Sequence, residues 1–106
     1  MIKLVYIAGP YRGNGTPDCI HKNIQAARTV AKKYWQKGYA VICPHMNSAY
    51  MDGACLDEMF LNGAIEILKR CDGIVMMPNW QQSEGSRNEL NVADKLGLEI
   101  IYEEEL

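Results

Sequence analysis

Four short apolar runs, separated by longer amphipathic segments, constrain the fold of this chain more than any other feature. The runs cover residues 3–8, 39–43, 73–77 and 98–102. A nearly continuous apolar run of this length is typical of a β-strand that is covered on both faces. The alternation predicts an α/β fold: a three-layer, doubly wound parallel sheet of four to five strands, flavodoxin-like or Rossmann-like. At 106 residues we expect one domain, spanning residues 1–106.

Start and stop signals bound the three predicted helices. Asp18 is the predicted N-cap of a first helix that runs to about Gln36. A polar loop over residues 45–53 precedes a second helix over residues 56–70, and Ser83 is the predicted N-cap of a third helix that ends before Gly97. The side chains of the second helix that we expect to face inward are Phe60, Leu61, Ala64, Ile65, Ile67 and Leu68.

The predicted topology also locates a site. In a sheet of this kind, ligands bind beyond the carboxyl ends of the strands, where the strand order reverses. For the strand order 2-1-3-4, this point lies between the first and third strands. The loops that follow these strands, residues 9–18 and 78–83, are the two richest in unusual residues. We therefore expect the functional site between them.

Glu89 is the residue that fits its predicted helix least well. It falls near the middle of an apolar face formed on the helical wheel by Leu90, Val92, Ala93 and Leu96. A carboxylate that points toward the core is costly unless it has a partner or a task. The sequence leaves three interpretations open: a catalytic carboxylate, a structural one paired with a buried arginine or tyrosine, or a helical wheel that is off by one position.

The start of the same helix has the composition of an anion site. Ser83 offers a hydroxyl, and Gly85 and Ser86 leave room for a ligand to approach the free N–H groups of the first turn. A helix N-terminus of this kind suits a phosphate. The alternative is a capped helix start that binds nothing.

Four residues in or near the two loops could contact a ligand. Tyr6 could reach the switch point with its hydroxyl, or it could be a packed core tyrosine. Arg12 could bind a phosphate bidentately, or it could be an ordinary exposed arginine. Tyr11 and Trp80 could stack on a nucleobase, or they could pack within their own loops.

Charge and composition argue against several classes of function. A net charge of -2 gives no general attraction to nucleic acid polymers or acidic membranes. No apolar run approaches the roughly 20 residues that span a bilayer, and residues 1–9 are too short for a signal peptide. The four cysteines form no CxxC pair, so we expect reduced thiols and a cytoplasmic protein. We expect the acidic tail at residues 103–105 to be solvated.

Cofactor and metal motifs are weak. Residues 9–15, GPYRGNG, match neither GxGxxG nor a P-loop, which argues against a dinucleotide or ATP site. Cys43, His45 and Cys55 could be drawn as metal ligands, but their spacing matches no standard zinc pattern. We therefore expect neither a metal nor a cofactor.

Two stretches of the chain resemble the nucleoside 2-deoxyribosyltransferase-like superfamily. They are YIAGPYRG at residues 6–13 and CDGIVMMPNWQQSEGSRNE at residues 71–89. The similarity is greatest to the small single-domain branch, which is related to the 2'-deoxynucleoside 5'-phosphate N-hydrolases. The resemblance implies a doubly wound flavodoxin-like fold and a homodimer with sites near the subunit interface.

The resemblance also implies roles at matching positions. Glu89 matches the glutamate that attacks the anomeric carbon or assists its hydrolysis, and Tyr6 matches the tyrosine that positions that glutamate. Ser83 and Gly85 match the serine and glycine that receive the 5'-phosphate. The residues that match the first-loop pattern Y-x-x-G-x-x-R-G are Tyr6, Gly9, Arg12 and Gly13.

The chain departs from the family pattern at two positions. Ala64 stands where characterised enzymes carry an aspartate that helps bind or protonate the leaving base, and Pro10 stands where the nucleotide hydrolases have a serine. Asp57 could replace the missing aspartate, although it lies about 10 Å further along the helix axis. Asp72, at the start of the third strand, lies at the wrong end of the sheet.

These expectations combine into a function. We predict N-glycosidic bond cleavage or transfer on a nucleoside or nucleoside 5'-monophosphate, with Glu89 acting at C1' and Tyr6 assisting it. The expected substrate-binding residues are Gly9, Arg12, Gly13, Trp80, Ser83, Gly85 and Ser86. Hydrolysis is favoured over transfer because the match at Ser83 favours a phosphate. The alternatives are a non-catalytic nucleotide-binding module that has lost the leaving-group aspartate, and a purely structural protein.

Overall fold

The computed structural model describes residues 1–47, 51 and 53–103, which contain one four-stranded parallel sheet. The strands are β1 (Leu4–Ala8), β2 (Ala40–Ile42), β3 (Gly73–Met76) and β4 (Glu99–Tyr102). Their order across the sheet is β2-β1-β3-β4, and each neighbouring pair is parallel. The predicted α/β fold and the predicted strand order are confirmed.

Helices cover both faces of this sheet. They are α1 (Pro17–Gln36), α2 (Pro44–Asn47), α3 (Asp57–Leu68) and α4 (Glu84–Lys95), with a 3₁₀ turn at Trp80–Gln82. The α1 layer packs on Val5, Ile7 and Val75, and the α3–α4 layer packs on Tyr6, Ala8 and Ile74. Since successive strand residues point to opposite faces, both faces of β1 and β3 need apolar side chains. No helix in the described part of the chain is long and apolar enough to cross a membrane.

The N-cap of the first helix lies two residues before the predicted cap. Thr16 is the N-cap, and its hydroxyl oxygen accepts a hydrogen bond from the backbone N–H of Cys19 at 3.2 Å. Pro17 occupies the first helical position, where its fixed φ and missing N–H cost nothing. The prediction of Asp18 as the cap is therefore wrong, and Asp18 lies in the first turn, where its charge suits the helix dipole.

The polar loop predicted over residues 45–53 is partly helical. Pro44–Asn47 form α2, which packs against α1, and His45 within it is buried. The N–H groups of Met46 and Asn47 both bond to the carbonyl of Cys43, which closes this short helix directly after β2. Residues 48–50 and 52 lie outside the described residues.

The acidic tail is not wholly solvated. The side chain of Glu103 is only 13% exposed, and its carboxylate accepts hydrogen bonds from the hydroxyl of Tyr34, at 2.8 Å, and from Lys33. The prediction is wrong for Glu103 because α1 supplies two donors at the end of β4. Residues 104 and 105 lie outside the described residues.

Helix α3 packs on the sheet mainly through its C-terminal half. Leu68 is fully buried and Ala64, Ile65 and Ile67 are partly buried, whereas Leu61 is 60% exposed. The inward placement predicted for Leu61 is therefore wrong. Leu96, predicted on the apolar face of the third helix, is also exposed because it caps the end of α4.

Candidate active site

Tyr6 and Glu89 form the centre of the candidate site. Tyr6 lies in the middle of β1, is fully buried and points into the α3–α4 layer. Glu89 lies in the second turn of α4, and the hydroxyl of Tyr6 donates a hydrogen bond to Oε2 of Glu89. The structure thus places the carboxylate inward, as the helical wheel predicts, and pairs it with a tyrosine.

Burial changes the acidity of both groups. Desolvation raises the pKa of Glu89 to about 7, and the hydrogen bond from Tyr6 opposes part of this rise. Desolvation and then the nearby Glu89 charge raise the pKa of Tyr6, so its hydroxyl keeps its proton. Glu89 is therefore divided between its acid and carboxylate forms near neutral pH, as a residue that exchanges protons needs to be.

The first turn of α4 is shaped as the sequence predicts. Ser83 is the N-cap, and its hydroxyl oxygen accepts a hydrogen bond from the backbone N–H of Ser86 at 3.2 Å. A Cβ added at Gly85 would meet nothing closer than the Ser83 hydroxyl, at 3.9 Å. Packing within the chain therefore does not require glycine there.

The side chain of Ser86 is less accessible than its predicted role requires. Ser86 is 1% exposed, and its hydroxyl has no hydrogen-bond partner among the described residues. A ligand at this helix start would therefore not reach the hydroxyl of Ser86 in this conformation.

Gly9 and Gly13 are explained by packing in the loop after β1. A Cβ added at Gly9 would lie 2.5 Å from Sδ of Met77, and one at Gly13 would overlap Sγ of Cys19. Gly13 also has a φ of 54°, which favours glycine. Both residues lie where the sequence predicts, at the carboxyl end of β1, but packing alone accounts for them.

Arg12 connects this loop to α3. Its Nη2 lies 2.9 Å from Oδ2 of Asp57, which begins the first turn of α3. Asp57 therefore lies at the carboxyl-end edge of the sheet, as the sequence analysis requires of a substitute carboxylate. Asp72 accepts a hydrogen bond from the N–H of Leu4, the first residue of β1, which confirms that Asp72 lies at the opposite end of the sheet.

Trp80 lies toward the edge of the sheet. Its ring centroid is 6.0 Å from that of Tyr102 on β4, two strands away from Tyr6 on β1. Asn79 precedes it with a left-handed φ of 69°, which turns the chain out of β3. Trp80, Tyr102 and Glu103 help line a cleft of about 320 Å³ at this edge.

A second cleft, of about 330 Å³, opens on the α1 side of the same loops. Pro78 and Asn79 line both clefts, and Asn23 of α1 lines the second. Of the described residues that line the two clefts, none is Glu89 or Tyr6. The Tyr6–Glu89 pair instead lies on the other face of the sheet, between β1 and α4.

His45 and Asn23 are two residues near the site whose contacts the sequence analysis missed. Their side chains contact backbone carbonyls in the loop after β1. A buried histidine in a short helix gives no periodic signal in the sequence, so only the fold reveals its partner. Within residues 1–47, 51 and 53–103, no three His, Cys, Asp or Glu residues form a group that could hold a metal ion.

The family comparison covers nearly the whole sheet and the site. A family described as a domain of unknown function, DUF4406, matches residues 3–102. The chain belongs to this family. No curated protein matches the chain.

Solved structures share the fold at low sequence identity. A 2-desoxiribosyltransferase from Leishmania mexicana matches 94% of this chain, with a TM-score of 0.63 and 23% sequence identity. A 2-deoxyribosyltransferase from Bacillus psychrosaccharolyticus matches 93% of this chain, with a TM-score of 0.64 and 19% sequence identity. The solution structure of BlsM matches 98% of this chain, with a TM-score of 0.68 and 14% sequence identity. The chain spans 63%, 70% and 82% of these three structures, so it covers less than two thirds of the first. The chain therefore has the nucleoside 2-deoxyribosyltransferase-like fold.

Proposed function

We propose that this chain cleaves or transfers the N-glycosidic bond of a nucleoside or nucleoside 5'-monophosphate, with Glu89 acting at C1'. The observation that carries the proposal is the partly buried Glu89 carboxyl, hydrogen-bonded to Tyr6 and with a pKa of about 7. Structures described as 2-deoxyribosyltransferases share this fold, which supports the substrate class.

The proposed reaction needs one carboxylate and one acceptor for the sugar, which is water in hydrolysis or a second base in transfer. Ionised Glu89 attacks C1', or it removes a proton from the water that attacks C1', through an oxocarbenium-like transition state. The C1'–N bond breaks, its electron pair leaves with the base, and the base takes up a proton. Tyr6 holds the carboxylate in place. We propose that the reaction uses no metal or redox cofactor.

The proposed phosphate site is the start of α4. The amides of the first turn and the hydroxyl of Ser83 would face the 5'-phosphate, with Gly85 allowing its approach and Arg12 adding charge. Gly9 and Gly13 would shape the loop beside it, and Trp80 would contact the base. A phosphate in this position favours hydrolysis over transfer, as the resemblance at Ser83 implies.

A non-catalytic nucleotide-binding module is the second candidate. The observation that favours it is Ala64, which is partly buried in the α3–α4 layer and offers no proton to a leaving base. Asp57, paired with Arg12, is the nearest candidate on the same helix for that task.

We further propose a homodimer in which α3 supplies part of the interface. Leu56 is 71% exposed and Met59 is 60% exposed at the start of this helix. A Cβ added at Gly63 would meet nothing within 4 Å, although glycine inside a helix costs about 1 kcal/mol relative to alanine. A second copy packed closely against α3 would explain both features. The four cysteines are free thiols, which supports a cytoplasmic setting.

Release of free base is the test. The protein is incubated with a panel of nucleosides and 5'-monophosphates, and the products are separated by chromatography. We expect base release by the unmodified chain and by Asp94→Asn, the same acid-to-amide change at an exposed position of α4, but not by Glu89→Gln. Nucleotide binding without base release from any substrate would favour the binding module and refute the enzyme.

A further inference from the structure

Side chains from the α1 layer hold two successive carbonyls of loop 1 (residues 10–15). Nε2 of His45 lies 2.8 Å from the carbonyl oxygen of Pro10, and Nδ2 of Asn23 donates to the carbonyl oxygen of Tyr11 at 2.9 Å. Asn23 belongs to α1, and His45 belongs to α2, which packs on α1. Both carbonyls therefore point toward the same layer.

His45 serves as a fixed neutral donor. A carbonyl oxygen only accepts, so Nε2 carries the hydrogen, and Nδ1 has no partner among the described residues. His45 is 5% exposed, and desolvation lowers its pKa, so the ring stays neutral at physiological pH. The ring of Tyr11 packs against it edge to face at 5.7 Å.

The held carbonyls fix the direction of the next amide. In a trans peptide the C=O of one residue and the N–H of the following residue point in opposite directions. Because the carbonyl of Tyr11 faces Asn23, the N–H of Arg12 points away from Asn23 and the α1 layer. The carbonyl of Arg12 accepts a hydrogen bond from the N–H of Gly15 at 2.8 Å, which also fixes the peptide group that follows Arg12.

We propose that Asn23 and His45 are positioning residues that orient loop 1 so that the amide and guanidinium of Arg12 face an anionic group of the substrate. This inference rests on the proposed nucleotide substrate. Pro10 has no N–H of its own, so the amides of loop 1 that can meet an anion come after it. Two successive carbonyls held on one side place a donor on the other side without any movement on binding.

An Asn→Asp pair of variants tests the inference. Asn23→Asp keeps the size of the side chain but removes the donor to Tyr11. Asn14→Asp is the matched control, because it makes the same amide-to-acid change in loop 1 itself, while Oδ1 of Asn14 only accepts hydrogen bonds, from the N–H and hydroxyl of Thr16. The Arg12 amide resonance, followed by NMR in arginine-labelled protein, reports on titration with inorganic phosphate and with 2'-deoxyguanosine 5'-monophosphate.

We expect the Arg12 amide to shift on titration in the unmodified chain and in Asn14→Asp. In Asn23→Asp the dissociation constant for both probes should rise about tenfold above that of Asn14→Asp, because the hydrogen bond that orients the Tyr11–Arg12 peptide is lost. Equal weakening in the two variants would show an effect of charge alone and would overturn the inference. So would an Arg12 amide that does not respond in the unmodified chain.

His45 gives an independent arm. Gln places an N–H near the position of Nε2, so His45→Gln should bind the 5'-monophosphate more tightly than His45→Leu, with binding of 2'-deoxyguanosine equal in the two. Equal affinity of both variants for the monophosphate would overturn the role of His45. A chain whose Arg12 amide responds but which releases no base refutes the proposed reaction and keeps this inference. Equal base release by Asn23→Asp and Asn14→Asp would refute this inference and keep the proposed reaction.

Discussion

The hydroxyl of Tyr6 donates a hydrogen bond to Oε2 of Glu89, joining the buried strand β1 to the second turn of α4. This pair explains why a carboxylate is tolerated on an apolar helix face, because Tyr6 satisfies one oxygen while burial favours the protonated acid. The same pair gives the site a group that titrates near neutral pH. Replacing either residue of the pair should change base release and the free energy of unfolding in ways that can be measured separately.

Replacing the carboxylate should abolish base release without unfolding the chain. Glu89→Gln keeps the size and the hydrogen bond from Tyr6 but cannot attack C1' or accept a proton. We expect a loss of roughly 1,000-fold or more in kcat, in the range typical for a nucleophile or general base. Calorimetry of nucleotide binding is the companion measurement. Affinity within a few-fold of the unmodified chain is expected, and retained turnover would exclude Glu89 as the acting residue.

The contribution of Glu89 to the stability of the chain should fall as pH rises through the acid range. The pKa of Glu89 is raised from 4.5 to about 7 in the folded chain, so between these values the folded state holds a proton that the unfolded chain has lost. This contribution is complete below pH 4.5 and is lost by about pH 7, which amounts to about 3 kcal/mol. Urea unfolding at several pH values measures it as a difference from Glu89→Gln. A constant difference between the two proteins would contradict the raised pKa.

Removing the tyrosine hydroxyl should make Glu89 a weaker acid. The hydrogen bond from Tyr6 lowers the pKa of Glu89, so Tyr6→Phe should raise that pKa further and move the acid limb of the pH–kcat profile to higher pH. The ring fills the same buried space, and the lost hydrogen bond costs about 1 kcal/mol of stability. A purely structural tyrosine would lower stability and leave the position of the acid limb unchanged.

Adding a methyl group at the start of α4 separates folding from phosphate binding. Gly85→Ala has room within the chain, because the nearest atom to its Cβ is the hydroxyl of Ser83 at 3.9 Å, and alanine favours the helix. We expect unchanged or higher thermal stability together with a KM for a 5'-monophosphate that rises about tenfold. The KM for the matching nucleoside is the control. An equal rise for both substrates would place the phosphate elsewhere.

The sequence predicted the sheet and the inward position of Glu89, because both follow from period, whereas the pairing of Glu89 with Tyr6 was implied by the family resemblance. Apolar runs specify strands, and the 100° rotation of a helix places Glu89 among its apolar neighbours. The contact of Arg12 with Asp57 and that of His45 with Pro10 could not be predicted in the same way. Each depends on the path of a loop whose turns are set by glycines such as Gly13 and by packing against distant helices.

The same limit applies to caps and helix ends. Asp18 and Thr16 are both good capping residues, and Pro17 decides between them by its preference for the first helical position. Leu61 has the spacing of a core residue, yet the sheet is too narrow to cover the first half of α3. Hydrophobic period therefore predicted which face of α3 is apolar but not how far the core extends along it.

The uncovered half of α3 leads to the last prediction, which concerns assembly. If a second copy covers Leu56 and Met59, the unmodified chain should have a mass near twice 12.0 kDa by light scattering. Met59→Lys would place a charge in that contact and should give the monomer mass, with little change in helix content because the position is exposed. Gln25→Lys adds the same charge at an exposed position of α1, on the opposite face of the sheet, and should leave the dimer intact. A monomer mass for the unmodified chain, or equal behaviour of the two variants, would show that α3 does not mediate self-association.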